Sequence, residues 1–254
     1  MYSNDIFIII KILDLYGDKV KNKKLTQVIS IFSILILVGI IVYIIIDKTS
    51  SKTAREIYKD NIETIVEVKA FNDDGISYGT GVIYDKTGLI ITNAHIVVYT
   101  VNDVDTIFKE IQIRFQNDEE YKTTKLIKYD LILDLAILSI EDENNYQTVS
   151  LSKGSYNTGD TVFAIGNSLN QGIGITSGII SLKEVNIINS GNTRKVIQVD
   201  INITYGNSGG ALFDVRGKLI GITTFRIKDD NGNVNYGFTY CIPIDIIKEY
   251  IKEN

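Results

Sequence analysis

An uncharged stretch near the N-terminus constrains this chain more than any other feature of its sequence. Residues 26–46 contain no charged side chain, and Val, Ile, Leu and Phe dominate them. As a helix the stretch would be about 31 Å long, which matches the ~30 Å hydrocarbon core of a bilayer. The stretch therefore predicts a transmembrane helix over residues 25–46, with the lipid bilayer as its partner.

A cleavable signal peptide is the rival interpretation of this stretch. Its apolar region would have about 7–15 residues and would end in a small-x-small site. The stretch is longer, begins late and is followed directly by Asp47 and Lys48. Lysines at positions 19, 21, 23 and 24 precede it, and Lys48, Lys52 and Arg55 follow it. Because positive residues favour the cytoplasmic side, we expect a cytoplasmic segment at 1–24 and an extracytoplasmic domain after the helix.

Charge and cysteine content exclude several functions for the remainder of the chain. Without residues 1–51 the net charge is −7, so the domain lacks the basic surface that nucleic-acid binding requires. Cys241 is the only cysteine, which excludes an intrachain disulfide and a Cys-based zinc site. We expect no metal and no other cofactor. His95 is the only histidine, so any mechanism that needs an imidazole must use it.

Beyond residue 60 the dominant hydrophobic period is two, which indicates β-strands. In residues 62–70, apolar side chains alternate with Glu63, Glu67 and Lys69. Further strands are predicted at 111–115, 134–140, 161–165, 177–182, 195–200, 218–225 and 236–242. A polar segment at 101–120 predicts a long surface loop around the strand at 111–115. Residues 243–252 predict a helix, with Pro243 in its first turn.

Many short strands with one late helix predict an all-β domain, either a sandwich or a barrel. The polar stretch 141–160 divides the strands into two groups of similar length. Two barrels, at about 61–145 and about 155–245, fit this division. A polar segment at 47–60 is the predicted linker between the transmembrane helix and the domain at 61–254.

Three short segments carry reactive side chains: residues 92–95 contain His95, residues 134–138 contain Asp134, and residues 206–210 contain Ser208. A serine hydroxyl is a poor nucleophile until an imidazole takes its proton, and a carboxylate must orient that imidazole. Taken singly, each segment also has a structural explanation: a core or surface histidine, a turn aspartate and a tight glycine turn.

The order of the three residues separates two catalytic interpretations. The pattern Gly206-x-Ser208-x-Gly210 also matches the nucleophile elbow of α/β-hydrolases, in which the histidine follows the serine. Here the sole histidine precedes the serine, which excludes that fold if Ser208 is catalytic. The order His95, Asp134, Ser208 is the chymotrypsin order.

These segments together resemble the HtrA (Deg) family of trypsin-like serine proteases. The resemblance extends over about residues 62–245, in the segments 79–83, 89–95, 130–138, 177–181, 198–200, 206–210 and 237–243. It implies two six-stranded antiparallel β-barrels of the chymotrypsin type with a C-terminal helix and an active site in the cleft between the barrels. We expect no PDZ domain, because the chain ends after one helix.

The resemblance also implies the role of each site residue. His95 is the expected general base, Asp134 its orienting acid and Ser208 the nucleophile. The expected oxyanion hole consists of the backbone N–H groups of Gly206 and Ser208, with Asn207 between them.

The specificity pocket can be predicted in part. Cleavage after Lys or Arg needs a carboxylate six residues before the nucleophile, and that position holds the neutral Asn202. The expected pocket wall consists of Gly221, Ile222, Thr223, Thr224 and Phe225. We therefore expect an uncharged, small or medium-sized aliphatic residue before the cleaved bond.

The resemblance implies a membrane-anchored endopeptidase that acts on unfolded, damaged or membrane-proximal proteins outside the cytoplasmic membrane. Members of the family commonly form homotrimers, which makes a homotrimer the candidate assembly. Two alternatives remain open: a catalytically idle or chaperone-like binding protein on the same scaffold, and a dedicated processing protease with one membrane partner.

Overall fold

The computed structural model describes residues 23–49, 51–73, 75–102, 104–189, 192–225 and 237–252. The chain divides into two compact units, residues 1–51 and residues 52–254. Most of the expected cytoplasmic segment at 1–24 lies outside the described residues.

The first unit contains a single described helix, α1 (Lys23–Thr49). Its window Thr26–Tyr43 has a mean hydropathy of 2.4 and is long and apolar enough to cross a membrane. The predicted apolar helix is therefore present, with bounds slightly wider than the expected 25–46.

The second unit begins with a short helix, α2 (Ala54–Asn61). The Thr53 hydroxyl accepts a hydrogen bond from the Glu56 N–H, and the Glu56 carboxylate accepts one from the Thr53 N–H, which forms a capping box. Ile57 on this helix is fully buried. The predicted linker at 47–60 is therefore partly folded, and the compact unit already begins at Lys52.

The first barrel follows α2 directly. Its elements in chain order are β1 (Ile65–Asn72), β2 (Gly75–Ile83), β3 (Leu89–Thr92), α3 (Ala94–Val97), β4 (Val98–Val101), β5 (Val104–Ile107), β6 (Glu110–Phe115), β7 (Lys122–Asp130) and β8 (Leu135–Ile140). Six strands close in the order β1-β2-β3-β8-β7-β6, and β4 and β5 pair as a separate hairpin. The prediction of a surface loop at 101–120 is thus wrong in its first part, which contains β5, the second strand of this hairpin.

The second barrel contains β9 (Thr161–Asn167), β10 (Ile173–Asn189), β11 (Asn192–Val199), β12 (Ala211–Asp214), β13 (Leu219–Phe225) and β14 (Thr239–Pro243), followed by α4 (Ile244–Lys252). These strands close in the order β10-β11-β14-β13-β12-β9. All pairs in both barrels are antiparallel. The predicted fold class, two six-stranded antiparallel barrels with a C-terminal helix, is confirmed.

Three hydrophobic clusters explain why the strands form where they do. Val68, Ile90 and Leu138 belong to the core of the first barrel, while Leu212 and Ile220 belong to that of the second. A third cluster joins side chains of both barrels, α2 and α4; among them are Ile57, Leu135, Ile165, Phe213 and Ile247. Because β8 buries one face inside its barrel and the other in the shared cluster, its sequence is a nearly continuous apolar run.

Candidate active site

The three predicted catalytic residues all lie close to the end of a strand. His95 lies in α3, directly after β3, and Asp134 immediately precedes β8. Because β3 pairs with β8, with Thr92 opposite Ala136, these two residues come together on the first barrel. Ser208 lies in the loop that leads into β12 of the second barrel.

His95 and Asp134 form a direct hydrogen-bonded pair. The His95 Nδ1 atom is 2.9 Å from both carboxylate oxygens of Asp134. The backbone N–H of His95 also donates to Asp134 Oδ1, at 3.1 Å. With the ring proton on Nδ1, the imidazole leaves a lone pair on Nε2, which suits it to accept a proton. The side chain of His95 is 45% exposed, so this second nitrogen is on the accessible side of the pair.

The Asp134 carboxylate is buried yet held in its charged form. Burial alone would raise its pKa, but the His95 charge and the hydrogen bonds from His95 and Thr224 outweigh that penalty and place the pKa below its usual range. The Thr224 hydroxyl donates to Asp134 Oδ2 at 2.5 Å. Asp134 takes a positive φ of 59°, and the Asn93 side chain donates to its carbonyl at 2.8 Å, which holds this unusual turn.

Backbone hydrogen bonds hold the loop that carries Ser208. The Ser208 carbonyl accepts from the Thr80 N–H of the first barrel at 2.8 Å. Gly209 donates to the Thr223 carbonyl at 2.8 Å. Gly206 and Gly209 have φ of +94° and +82°, a region that glycine adopts without strain. The loop is therefore fixed from both barrels.

Two N–H groups of this loop are free for a ligand. Within the described part of the chain, the backbone N–H groups of Gly206 and Ser208 donate to no protein acceptor, while that of Asn207 donates to Thr204 O at 3.2 Å. The Tyr205 carbonyl accepts from the Leu169 N–H at 2.7 Å. Because a trans peptide directs its N–H opposite to its C=O, this contact turns the Gly206 N–H away from Leu169.

The Ser208 hydroxyl donates to the Thr224 carbonyl at 2.7 Å. A nucleophilic role requires that this hydroxyl turn to His95 Nε2 before its proton is transferred. Thr224 thus contacts Asp134 through its side chain and Ser208 through its backbone.

Residues 79–222 match the model of the trypsin-like peptidase domain. This match covers more than half of the chain and includes His95, Asp134 and Ser208. The chain belongs to the trypsin-like peptidase family.

Individual relatives agree with the HtrA branch of this family. The chain is 35% identical over 176 residues to the serine endoprotease DegS of Haemophilus influenzae, a match that covers 69% of this chain and 49% of that protein. It is 34% identical over 180 residues to the periplasmic serine endoprotease DegP of Escherichia coli, which covers 70% of this chain and 36% of that protein. It thus spans about a third to a half of the length of these relatives.

A solved structure gives the same result. The HtrA-type protease AlgW with a tripeptide superposes with a TM-score of 0.66 at 29% sequence identity, covering 79% of this chain and 62% of that one. The resemblance to the HtrA family that the sequence predicts is therefore confirmed.

The structure gives contacts for most residues of the predicted pocket wall, whose role in substrate binding stays a prediction. Ile222 is fully buried in the cluster between the barrels. The Thr223 hydroxyl donates to Asn207 O at 2.5 Å and thus supports the serine loop. Gly221 leaves no room for a side chain, because a Cβ would lie 2.7 Å from Ile242 O. The backbone of Phe225 ends β13, and its side chain lies outside the described part.

Two residues that contact the site were not predicted in these roles. Thr224, which is predicted to line the pocket, also donates its hydroxyl to Asp134. The Thr80 hydroxyl donates to Gly206 O at 2.8 Å and so supports the loop from the first barrel. The sequence carries no signal for either role, because a threonine hydroxyl acquires its partner only when the barrels meet.

Proposed function

We propose that this chain is a membrane-anchored serine endopeptidase that hydrolyses unfolded or damaged proteins outside the cytoplasmic membrane. His95 is the general base, Asp134 its orienting acid and Ser208 the nucleophile. The observation that carries the proposal is the His95–Asp134 pair on one barrel, together with a serine loop on the other barrel in which two N–H groups have no acceptor among the described residues. The names of the relatives support the same activity.

The proposed reaction needs two equivalent halves. Ser208 Oγ attacks the peptide carbonyl carbon as its proton passes to His95 Nε2, and the N–H groups of Gly206 and Ser208 stabilise the developing oxyanion. The C–N bond then breaks, and His95 returns the proton to the departing amine. Water repeats the sequence on the acyl-enzyme and releases the second product and Ser208.

The substrate preference that we propose follows from Asn202, at the predicted pocket base, and from its neighbour Asp200. Asn202 is neutral and exposed. Asp200, the nearest carboxylate in sequence, accepts a hydrogen bond from the Ile179 N–H at 2.6 Å and so has a structural role. We therefore expect cleavage after small or medium-sized aliphatic residues; a peptide library cleaved mainly after Lys or Arg would contradict this preference.

The anchoring role rests on α1. Its apolar side chains are exposed to solvent, for example Phe32 at 64% and Ile34 at 60%. A helix with an uncharged stretch of this length that exposes apolar side chains is stable when a bilayer covers it. With the N-terminus in the cytoplasm, the peptidase domain lies outside the membrane. The assembly that we propose is a homotrimer, and measurement of its mass in detergent tests this.

Digestion of an unfolded protein tests the enzymatic proposal. The full chain in detergent is incubated with a reduced and alkylated protein, beside the Ser208→Ala variant and the matched control Ser155→Ala at an exposed serine. We expect the wild type and S155A to cleave, and S208A to lose at least about a thousandfold of the rate. Binding without cleavage by the wild type would instead support an idle, chaperone-like scaffold.

A further inference from the structure

An arginine of the second barrel reaches the catalytic acid of the first. Arg194 lies on β11, opposite Ile187 of β10, and its side chain is only 13% exposed. One guanidinium nitrogen donates to the Leu131 carbonyl at 2.8 Å. The other terminal nitrogen lies 3.9 Å from Asp134 Oδ2. The guanidinium therefore contacts both the turn that precedes β8 and the carboxylate at the end of that turn.

The two contacts have different consequences. The hydrogen bond to Leu131 fixes the backbone turn that presents Asp134. The nearby positive charge stabilises the ionised carboxylate and also opposes a second positive charge on the neighbouring imidazole. A guanidinium stays protonated at every relevant pH, so both effects persist across the working range of a protease.

We propose that Arg194 is a positioning residue of the triad, which holds the turn before β8 and the Asp134 carboxylate that orients His95. This inference rests on the proposed function, since it assigns to His95 the role of general base. In a simple triad, the carboxylate favours protonation of the histidine and so limits activity at low pH. Removal of the Arg194 charge should therefore strengthen that attraction.

The charged side chains nearest in sequence to the turn before Asp134 and to Arg194 have partners of their own among the described residues. They are Asp130 and Lys128 on β7 and Lys195 on β11. Asp130 accepts a hydrogen bond within its own turn, Lys128 donates to a carbonyl of α4, and Lys195 pairs with Glu184 and Asp245. Among the described residues, Arg194 and His95 are thus the basic side chains that lie within ion-pair distance of Asp134.

The single histidine makes a direct test feasible. In the full chain in detergent, a ¹³C-labelled histidine gives one imidazole signal, that of His95, whose pH titration is followed by NMR. The Ser208→Ala background prevents self-cleavage, so the measurement does not depend on activity. We expect Arg194→Gln to raise the titration midpoint by about half a pH unit, because it removes a neighbouring unit charge whose effect is screened by a water-like medium.

Two control variants, with one substitute for R194Q, separate the effect of the Arg194 charge from that of its structure. Arg194→Lys keeps the charge, so its titration midpoint should equal that of the parent protein. Arg216→Gln removes an exposed arginine from the turn between β12 and β13 and should also change nothing. If R194Q does not fold, Arg194→Met provides a second neutral side chain of similar length. Equal midpoints in R194Q and the parent protein, or an equal shift in R194K, would overturn the inference.

A matching measurement on the active enzyme links the effect to catalysis. The acid limb of the pH profile of kcat/KM should move to higher pH by the same amount in R194Q and not in R194K. An R194Q rate that falls equally at every pH, with no movement of the limb, would reduce Arg194 to a purely structural role. Absence of cleavage by the wild type would contradict the proposed function, while the NMR titration would still decide the inference.

Discussion

Asp134 stays charged in a buried position because of His95 and, to a smaller extent, a hydrogen bond from the opposite barrel. Its carboxylate accepts hydrogen bonds from the ring and backbone of His95 and from the Thr224 hydroxyl. A hydrogen bond to a charged group contributes about 1.5–3 kcal/mol. Loss of the threonine hydroxyl should therefore weaken the orientation of the imidazole as well as the charge on the acid.

We predict that Thr224→Val lowers kcat/KM by about tenfold to a hundredfold, because it removes this hydrogen bond without changing the side-chain volume much. Thr224→Ser keeps the hydroxyl and should retain most of the rate. Hydrolysis of a short peptide substrate measures both variants. Equal rates for the valine and serine variants would show that the hydroxyl has no catalytic importance.

The sequence predicts the residues that we propose react, but not those that position them. His95, Asp134 and Ser208 can be proposed from the single histidine, the chain order and the glycine-rich loop. The contacts of Thr224 and Arg194 with Asp134 join residues 90 and 60 positions apart on different barrels. No local pattern encodes such contacts, because they depend on how two closed barrels pack against each other.

At the scale of elements, the serine loop is held in a shape that requires glycine at Gly206 and at Gly209. Gly209 has φ +82°, and a Cβ there would collide with the Thr80 carbonyl oxygen and the Thr92 hydroxyl. Gly154 has a similar φ of +89°, yet a Cβ there would meet no atom within 4 Å. An alanine at either glycine would have the same backbone strain, but only the alanine at position 209 would also collide with neighbouring atoms.

We predict that Gly209→Ala lowers the rate of peptide cleavage by at least about a hundredfold, since the loop must shift and displace the oxyanion donors. Gly154→Ala should stay close to the wild-type rate and cost only about 1 kcal/mol of stability. Parallel assays of activity and thermal unfolding test both. An active G209A enzyme would mean that the loop tolerates displacement.

Helix α2 is a second element whose importance the sequence understates. Its polar composition predicts a linker, but Ile57 enters the cluster between the barrels and the Tyr58 hydroxyl donates to Ile173 O at 2.9 Å. One buried isoleucine among charged neighbours gives too weak a pattern for a confident core assignment. The hairpin of β4 and β5 escapes prediction for a related reason, since its side chains Val101 and Val104 are exposed.

We predict that Ile57→Ala lowers the free energy of unfolding by about 2–4 kcal/mol, because it leaves a cavity in that cluster. Ile188→Ala, at a side chain that is 77% exposed, should change it by less than about 0.5 kcal/mol. Denaturant unfolding of the full chain in detergent, followed by circular dichroism, gives both values. A small effect of I57A would show that α2 packs loosely.

At the scale of the whole molecule, the chain combines an apolar helix with an acidic peptidase domain. The domain strands are predictable because alternation and buried apolar runs mark them, and the barrel closure follows from the family resemblance. The membrane role of α1 is an inference from length and composition.

We predict that the full chain stays with membranes after alkaline carbonate extraction. The double change Ile34→Arg and Ile41→Arg should release it, because each arginine near the centre of a span costs about 2.5–3.5 kcal/mol. Ile188→Arg, in the peptidase domain, serves as the control and should remain membrane-bound. Retention of the double variant in the pellet would argue against α1 as the anchor.

Covalent labelling tests most directly whether Ser208 is a nucleophile that His95 and Asp134 activate. The full chain is treated with a fluorophosphonate, which reacts with activated serines, and the modified peptide is identified by mass spectrometry. We predict a single adduct on Ser208, formed at least about a hundredfold more slowly in His95→Ala and Asp134→Asn. An adduct on another serine, or equal labelling rates in the wild type and both variants, would contradict the account.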